Sequence, residues 1–221
     1  MDPVACTRFC EQPDLPAVGG TKNPDVEAII ELAPDLVVVN DEENRVEDAD
    51  ALGDAGLRLH SMSPRSVAGV GPAVAALGDA VGADVPAVFS TPGWGRWLAG
   101  QRAGTASPRR RSAVLVWRRP WMVTNADTYG SSLLELLGVD NVFADEKERY
   151  PEVVLEKIAA RRADLVLLPD EPYPFKARHV DEVEAAVGDA AVHILDGRDL
   201  FWWGVRTPAA VSRLRQALTA W

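Results

Sequence analysis

Ala33-Pro34-Asp35-Leu36-Val37-Val38-Val39-Asn40-Asp41-Glu42-Glu43-Asn44 is the stretch on which the reading of this chain turns. Pro34-Asp35 ends whatever precedes it, Leu36 to Val39 is an unbroken apolar run of strand length, and the polar tail reads as a turn. An apolar run without alternation is what a parallel strand covered on both faces needs. Upstream, Pro24 and Asp25 cap an apolar set at Val26, Ile29, Ile30 and Ala33 with helical spacing. Downstream, a helix is expected from Val46 to Ala55 and a short strand from Leu57 to Leu59. Helix and strand alternate, so the segment reads as an α/β unit.

The pattern returns in the second half. Pro24-Asp25-Val26 recurs as Pro151-Glu152-Val153, Ala33-Pro34-Asp35-Leu36-Val37 as Arg162-Ala163-Asp164-Leu165-Val166, and Asp41-Glu42 as Asp170-Glu171, at offsets of 127, 129 and 129 residues. Stacked repeats have periods of roughly 20 to 50 residues, so this spacing implies two similar α/β lobes instead of a solenoid. Between them, Ser66 to Val81 is an Ala/Val/Gly-rich helix candidate. Pro86 to Arg111, with Pro92-Gly93, Gly95, Gly100, Gly104, Pro108 and the basic run Arg109-Arg110-Arg111, reads as the lobe boundary and a solvated linker. Expected boundaries are therefore 1–84, 85–111 and 112–221. In the second lobe, strands are expected at Ala113 to Trp117, at Leu165 to Leu168 and at Val192 to Leu195. Helices are expected at Ser131 to Leu137 and Pro208 to Ala220.

Composition narrows the function. The 221 residues carry 33 acidic and 23 basic side chains, a net charge of −10, and a pI near 4.8. Such a surface repels phosphate backbones and anionic lipid, which argues against nucleic acid or a membrane surface as partner. No apolar run approaches the roughly 18 residues of a membrane span. Cys6 and Cys10, the two cysteines, lie too close together to staple a fold and read as ordinary thiols. Met1-Asp2-Pro3-Val4 shows neither the basic nor the apolar region of a signal peptide. As the sequence stands the expectation is a cytoplasmic chain, or an extracytoplasmic one if an export signal lies upstream.

Open α/β sheets bind ligands at the carboxyl ends of their strands. There the sequence places Glu42, Glu43 and Asn44; then Trp117-Arg118-Arg119-Pro120-Trp121; then Asp170-Glu171-Pro172-Tyr173-Pro174-Phe175; then Asp196 to Gly204 with Phe201, Trp202 and Trp203. Aromatics interleaved with charges suit a flat, partly apolar ligand with polar edges; the same tryptophans could also be core beneath loops. Glu42, Glu43 and Glu171 could serve as paired acid/base carboxylates, although acidic turns before helices are common caps. His60, His179 and His193 lack metal-ligand spacing, and Cys6-x-x-x-Cys10 has no second pair. Val18-Gly19-Gly20-Thr21-Lys22 and Gly69-Val70-Gly71 fail as nucleotide loops, and no Gly-x-Ser-x-Gly elbow occurs.

Several motifs together resemble one family. Thr7-Arg8-Phe9-Cys10-Glu11-Gln12-Pro13, Gly19-Gly20-Thr21-Lys22-Asn23-Pro24-Asp25, Asp35-Leu36-Val37 with Glu42-Glu43-Asn44-Arg45, and Trp117-Arg118-Arg119-Pro120-Trp121-Met122 come first. Leu133 to Gly138 with Asn141-Val142-Phe143-Ala144, Tyr150-Pro151, and Glu171-Pro172-Tyr173-Pro174-Phe175 complete the set. Their order is similar to that of the helical-backbone, class III periplasmic substrate-binding proteins, which serve ABC importers of cobalamin, haem and ferric siderophores. The resemblance implies two α/β lobes joined by a connecting helix, with a ligand cleft between them and no enzymatic activity.

It implies that Trp202 and Trp203 line the cleft, and with the strand-end reading above the expected ligand set is Arg8, Phe9, Glu42, Glu43, Asn44, Trp117, Arg119, Trp121, Glu171, Tyr173, Phe175, Trp202 and Trp203. Glu47 and Glu171 become docking residues for arginines of a permease. No cofactor held by protein ligands is implied, since any metal arrives inside the transported chelate. Against the family pattern, the first lobe is expected to lack its N-terminal strand-helix unit, and the connecting helix to be short or broken at Pro86 and Pro92. Two alternatives stay open: an intracellular protein of the same fold that stores or delivers such a ligand or meets a protein partner, and an enzyme using Glu42 and Glu171.

Overall fold

The structure is a computed structural model describing residues 2–103 and 109–221. It divides into two compact units, one formed by residues 1–63 and 73–86, the other by residues 64–72 and 87–221.

In the smaller unit, helix α1 (Val26–Leu32) starts where the Asp25 carboxylate accepts the Ala28 N–H at 3.1 Å. It stops at Ala33, which turns left-handed at φ 44°. Strand β1 (Val37–Val39), helix α2 (Val46–Asp54) and strand β2 (Leu59–Ser61) follow, and β1 pairs β2 in parallel with Val37 opposite Leu59. The strand is parallel, as its unbroken apolar run suggested, but it is not covered on both faces. Val38 is 49% exposed, because this sheet has only two strands and lacks the layers that would cover it. Strand β2 begins two residues later than the sequence suggested, since the Leu57 N–H is still bonded to the carbonyl of Leu52 at the end of α2. Helix α3 (Val67–Val81) gives residues 67–72 to the larger unit and 73–81 to the smaller.

The larger unit opens with a 3-10 turn at Ala87–Phe89 and helix α4 (Thr91–Ala103), an uninterrupted helix in the Gly/Pro-rich segment. The 104–108 part of that segment lies outside the described residues. Then come β3 (Arg110–Trp117), β4 (Trp121–Val123), α5 (Tyr129–Leu136), β5 (Val139–Asn141), β6 (Glu152–Val153), α6 (Leu155–Ala160), β7 (Leu165–Pro169), α7 (Ala177–Val187), β8 (Ala191–Leu195), α8 (Gly197–Phe201) and α9 (Thr207–Ala220). Strand order is β6-β4-β3-β7-β8, with β5 also paired to β3. The β3–β7 and β7–β8 pairs are parallel, and all five residues of β7 are buried. This strand meets the condition that β1 does not: it has a neighbour on each edge and helices on its faces.

The basic run is not a solvated linker. Arg109 makes a bidentate pair with Asp140, and Arg110 and Arg111 begin β3, with the Arg111 guanidinium donating to the Arg161 carbonyl at 2.8 Å. The internal repeat is clearer in the backbone than in the sequence. The order α1-β1-α2-β2 recurs as α6-β7-α7-β8, the first helices starting at Val26 and Leu155. Arg162 is left-handed at φ 52°, like Ala33, and each sends its N–H to the carbonyl three residues back. Non-glycine residues seldom adopt this conformation, so its recurrence 129 positions on marks the same helix-to-strand turn in both halves. The Pro151-Glu152-Val153 match is two residues out of register, because Val153 lies in β6 and the helix begins after it.

Candidate functional site

On the larger unit, the parallel strands β3, β7 and β8 end at Trp117, Pro169 and Leu195. The loops that follow carry a graded wall of rings. Trp117, 42% exposed, meets Tyr173 edge to face with centroids 5.5 Å apart, and Tyr173 lies 4.7 Å from Phe175. Trp121 stacks parallel to Phe175 at 6.2 Å. Phe175 is itself core at 3% exposure, and the half-buried Trp121 and Tyr173 pack against that core while Trp117 is exposed. Trp121 is the first residue of β4, paired to Val153, and not a loop residue; its ring is held by the sheet. Behind them His179 is buried, with Nδ1 accepting the Lys176 N–H at 2.9 Å; burial first, then Arg178 and Arg118, keep it below the ordinary imidazole range. Arg118 bridges the wall to α7, its guanidinium 5.6 Å from the Trp121 ring and bidentate on Glu182. Arg119 is exposed and left-handed, at φ 69°.

The third loop rests against the second. Asp170 accepts the Gly197 N–H at 2.8 Å, and a Cβ at Gly197 would stand 2.6 Å from both the Cγ and the carbonyl oxygen of Glu171. Only glycine permits that approach. Glu171 faces Arg198 at 3.9 Å, and the Arg198 and Arg206 guanidinium groups lie 5.5 and 5.4 Å from the half-buried Trp202 ring. Trp203 is also half-buried. The arginines around Trp202 were not singled out from sequence; their spacing around the ring, four residues before and four after, is a signal that could have found them.

Desolvation pushes the Glu171 carboxyl above its ordinary range, against the pull of Arg198 and a hydrogen bond with Trp202. A carboxyl with a raised folded pKa binds its proton more tightly folded than unfolded, so stability falls as pH rises through that value. Glu171→Gln is therefore expected to stabilise the chain at pH 7, by less than about 1 kcal/mol because solvent reaches the group. Near pH 4 the difference disappears. Urea midpoints at the two pH values check this.

On the smaller unit, residues 19–22 gather the remaining candidates. A Cβ at Gly20 would lie 3.1 Å from the Phe9 ring and 3.5 Å from the Arg8 guanidinium, so both side chains cover that glycine. Arg8 stands 5.0 Å from the Phe9 centroid, and Phe9 is 61% exposed. Asn44 donates to the Thr21 carbonyl at 2.9 Å, Thr21 to Glu43 at 3.4 Å, and Lys22 to the Glu42 carbonyl at 3.0 Å while pairing with Glu43 at 3.7 Å. Arg8, Phe9, Glu42, Glu43 and Asn44 thus form one patch, whose acidic members are turn anchors as much as exposed charge. Glu47 is exposed in the first turn of α2. Among the described residues no group of three or more His, Cys, Asp or Glu side chains is placed to hold a metal, and no helix is long and apolar enough to cross a membrane.

Two units with a repeated α-β-α-β order, and loops at the strand ends that carry rings and charges, define a duplicated α/β protein. Residues 3–186 match the family model described as periplasmic binding protein, and the chain belongs to that family. Among solved structures it is similar to the periplasmic vitamin B12 binding protein BtuF of Vibrio cholerae, with TM-score 0.78, 20% identity, and 98% of this chain and 88% of that one covered. The periplasmic haem binding protein HutB of Vibrio cholerae gives 0.75 at 16% identity, covering 96% and 87%. The periplasmic haem-binding protein RhuT from Roseiflexus sp. RS-1 gives 0.71 at 20% identity, covering 93% and 83%. No curated protein matches by sequence alone.

Proposed function

We propose that this chain is a non-enzymatic binding protein for a metal chelate or corrinoid-like ligand, of the cobalamin, haem or ferric siderophore kind, and that it delivers the ligand to an ABC permease. The observation that carries the reading is the ring wall at the strand ends of the larger unit, Trp117, Trp121 and Tyr173 over Phe175, with Trp202 between two arginines and Trp203 next to it in the loop after the last strand. Flat macrocycles and catecholates offer large apolar faces with anionic or amide edges, which rings and guanidinium groups complement. The solved relatives that bind vitamin B12 and haem share the fold, and their ligands are of this chemical kind. On the smaller unit, Arg8, Phe9, Glu42, Glu43 and Asn44 are assigned as ligand-contacting residues. The buried Phe175 acts through Trp121 and Tyr173.

A stacked ring is worth about 0.5 to 1.5 kcal/mol beyond its buried area, and each 1.4 kcal/mol is tenfold in Kd. The test is a tryptophan-fluorescence titration with cobalamin, haemin and a ferric-siderophore panel, corrected for absorption by the ligand. Saturable quenching by one of them is expected, weakened about tenfold or more in Trp203→Ala and in Trp202→Ala. A folded chain that none of them quenches overturns the assignment. Glu47, remote in sequence from the ring wall, is assigned to permease docking together with Glu171.

A further inference from the structure

We propose that the ligand of this chain is an anionic chelate, with carboxylate or catecholate oxygens at its edge, and that Arg119, Arg198 and Arg206 select it over neutral corrinoids and neutral ferric complexes. The inference rests on the binding role proposed above and narrows it. By net charge alone, a chain at −10 repels an anion. That charge is carried by one unit, however: the smaller holds 16 acidic and 4 basic side chains, the larger 17 acidic and 19 basic. The ring wall lies on the larger unit, where cations are in slight excess.

Around the wall the acidic side chains are engaged with the protein itself. Glu182 takes two donors of Arg118, Asp170 accepts the Gly197 N–H at 2.8 Å, and Asp196 accepts the Asp199 N–H at 3.1 Å. Glu171 faces Arg198 at 3.9 Å, and burial pushes its carboxyl up toward the neutral form. The cations are placed differently. Arg119 is the middle residue of the 118–120 turn between Trp117 and Trp121; it is exposed and has no hydrogen bond or ion pair among the described residues. Arg198 and Arg206 both stand over the Trp202 ring, 5.5 and 5.4 Å from its centroid, and Arg206 also donates to Asp199 at 3.2 Å. A ring with two guanidinium groups over it has less face left for a flat ligand. Trp202 is therefore a positioning residue that holds two planar forks of donors, and such forks match carboxylate and catecholate oxygens pairwise. The amide edge of a corrin offers these charges only neutral acceptors.

The test titrates the folded chain with probes that separate charge from metal and shape. Haemin and a ferric tris-catecholate are the anionic probes, cyanocobalamin and a ferric tris-hydroxamate the neutral ones. One of the two anions is expected to bind at least about tenfold more tightly than either neutral probe, and which one does so tells carboxylate from catecholate. Raising the salt from about 0.02 to about 0.5 M should weaken that binding, because screening removes a local attraction; with the whole-chain charge in control, salt would strengthen it. Arg119→Gln and Arg198→Gln should each lower the anion's affinity about tenfold and flatten its salt dependence, and Arg119→Lys should recover part of both. Trp202→Ala should flatten the salt dependence as well, whereas a plain stacking role would weaken neutral and anionic probes alike. A neutral probe binding as tightly as either anion, affinity that rises with salt, or folded Gln variants that bind the anion unchanged would each overturn the selection and leave the binding role standing. A folded chain that no probe quenches would overturn the binding role and this inference with it.

Discussion

Trp94→Ala is expected to cost about 3 to 5 kcal/mol of stability, the range for removing a large buried aromatic side chain. Trp94 is 2% exposed; its ring lies between Phe89, with centroids 5.2 Å apart, and Trp97 at 4.5 Å, and its Nε1–H donates to the Val67 carbonyl at 2.9 Å. The mutation removes both stacks, leaves that carbonyl without its indole donor, and opens a void that interior packing does not refill. The facing surface is the backbone of α3. A Cβ on Gly71 would stand 2.3 Å from the Trp94 Cγ, so the indole lies directly on that glycine. Gly71→Ala alone should therefore destabilise by about 1 to 3 kcal/mol, whereas in the Trp94→Ala background the added methyl enters the void and costs little. Urea unfolding of the four chains gives the coupling directly. Additive effects would mean that the two sites do not touch.

This pair also shows where the sequence misleads. Pro92-Gly93, Gly95 and Gly100 read as breakers, and by propensity they are. Gly93 is instead required by packing: a Cβ there would meet the Ala87 carbonyl oxygen at 2.1 Å, while Pro92 occupies the first turn of α4, where a missing N–H costs nothing. What overrides propensity is the stack of the buried Trp94 and Phe89 with the half-buried Trp97, and no local pattern announces which surface a tryptophan will face. The reverse error occurs at β1. Four consecutive apolar residues promise cover on both faces, yet Val38 is half exposed because cover is a property of the whole sheet.

The repeat was legible because helix-strand-helix-strand order is written in hydrophobic period and punctuation, which are local. Its register was not, because a Pro-acidic-Val triplet starts a helix at Val26 but a two-residue strand at Glu152–Val153. The candidate site divides in the same way. Placing aromatics and charges after the strands follows from topology, and the structure puts Trp117, Tyr173, Trp202 and Trp203 there. Phe175 turned inward, since the alternation through Glu171-Pro172-Tyr173-Pro174-Phe175 does not reveal which side the core lies on. The short strand at Trp121–Val123 was missed because it is only three residues long and owes its existence to pairing with β3 and β6.

Asp199→Asn should cost about 2 to 4 kcal/mol at pH 7, with the cost vanishing in acid. Asp199 is 3% exposed in the five-residue helix α8, too short to hold itself together. Its carboxylate accepts the Arg213 Nε–H at 2.6 Å and a second Arg213 N–H at 2.5 Å, and Arg206 donates at 3.2 Å. These bonds tie α8 to α9 across the loop that carries Trp202 and Trp203. A neutral amide keeps the shape but loses the charge, and hydrogen bonds to charged groups contribute about 1.5 to 3 kcal/mol each way. The arginines are partly exposed, so rehydration recovers some of that loss. The Arg213 hydrogen bond first, then its charge and that of Arg206, hold the Asp199 carboxyl below its ordinary range. The folded state therefore binds this proton more weakly than the unfolded chain does. The stabilisation is complete above the unfolded value of about 3.9 and is lost as pH falls through the lower folded value. Wild type and Asp199→Asn should differ fully at pH 7 and approach each other progressively as pH falls below the unfolded value of about 3.9, as followed by urea midpoints across the acid range. Because the same tether positions Trp202 and Trp203, amide exchange at residues 197–203 should quicken in the variant and the ligand titration should weaken with it. A stable variant with an unchanged titration would show that α8 is held by its apolar contacts alone, through Leu200 at 0% exposure and Phe201 against Gly130.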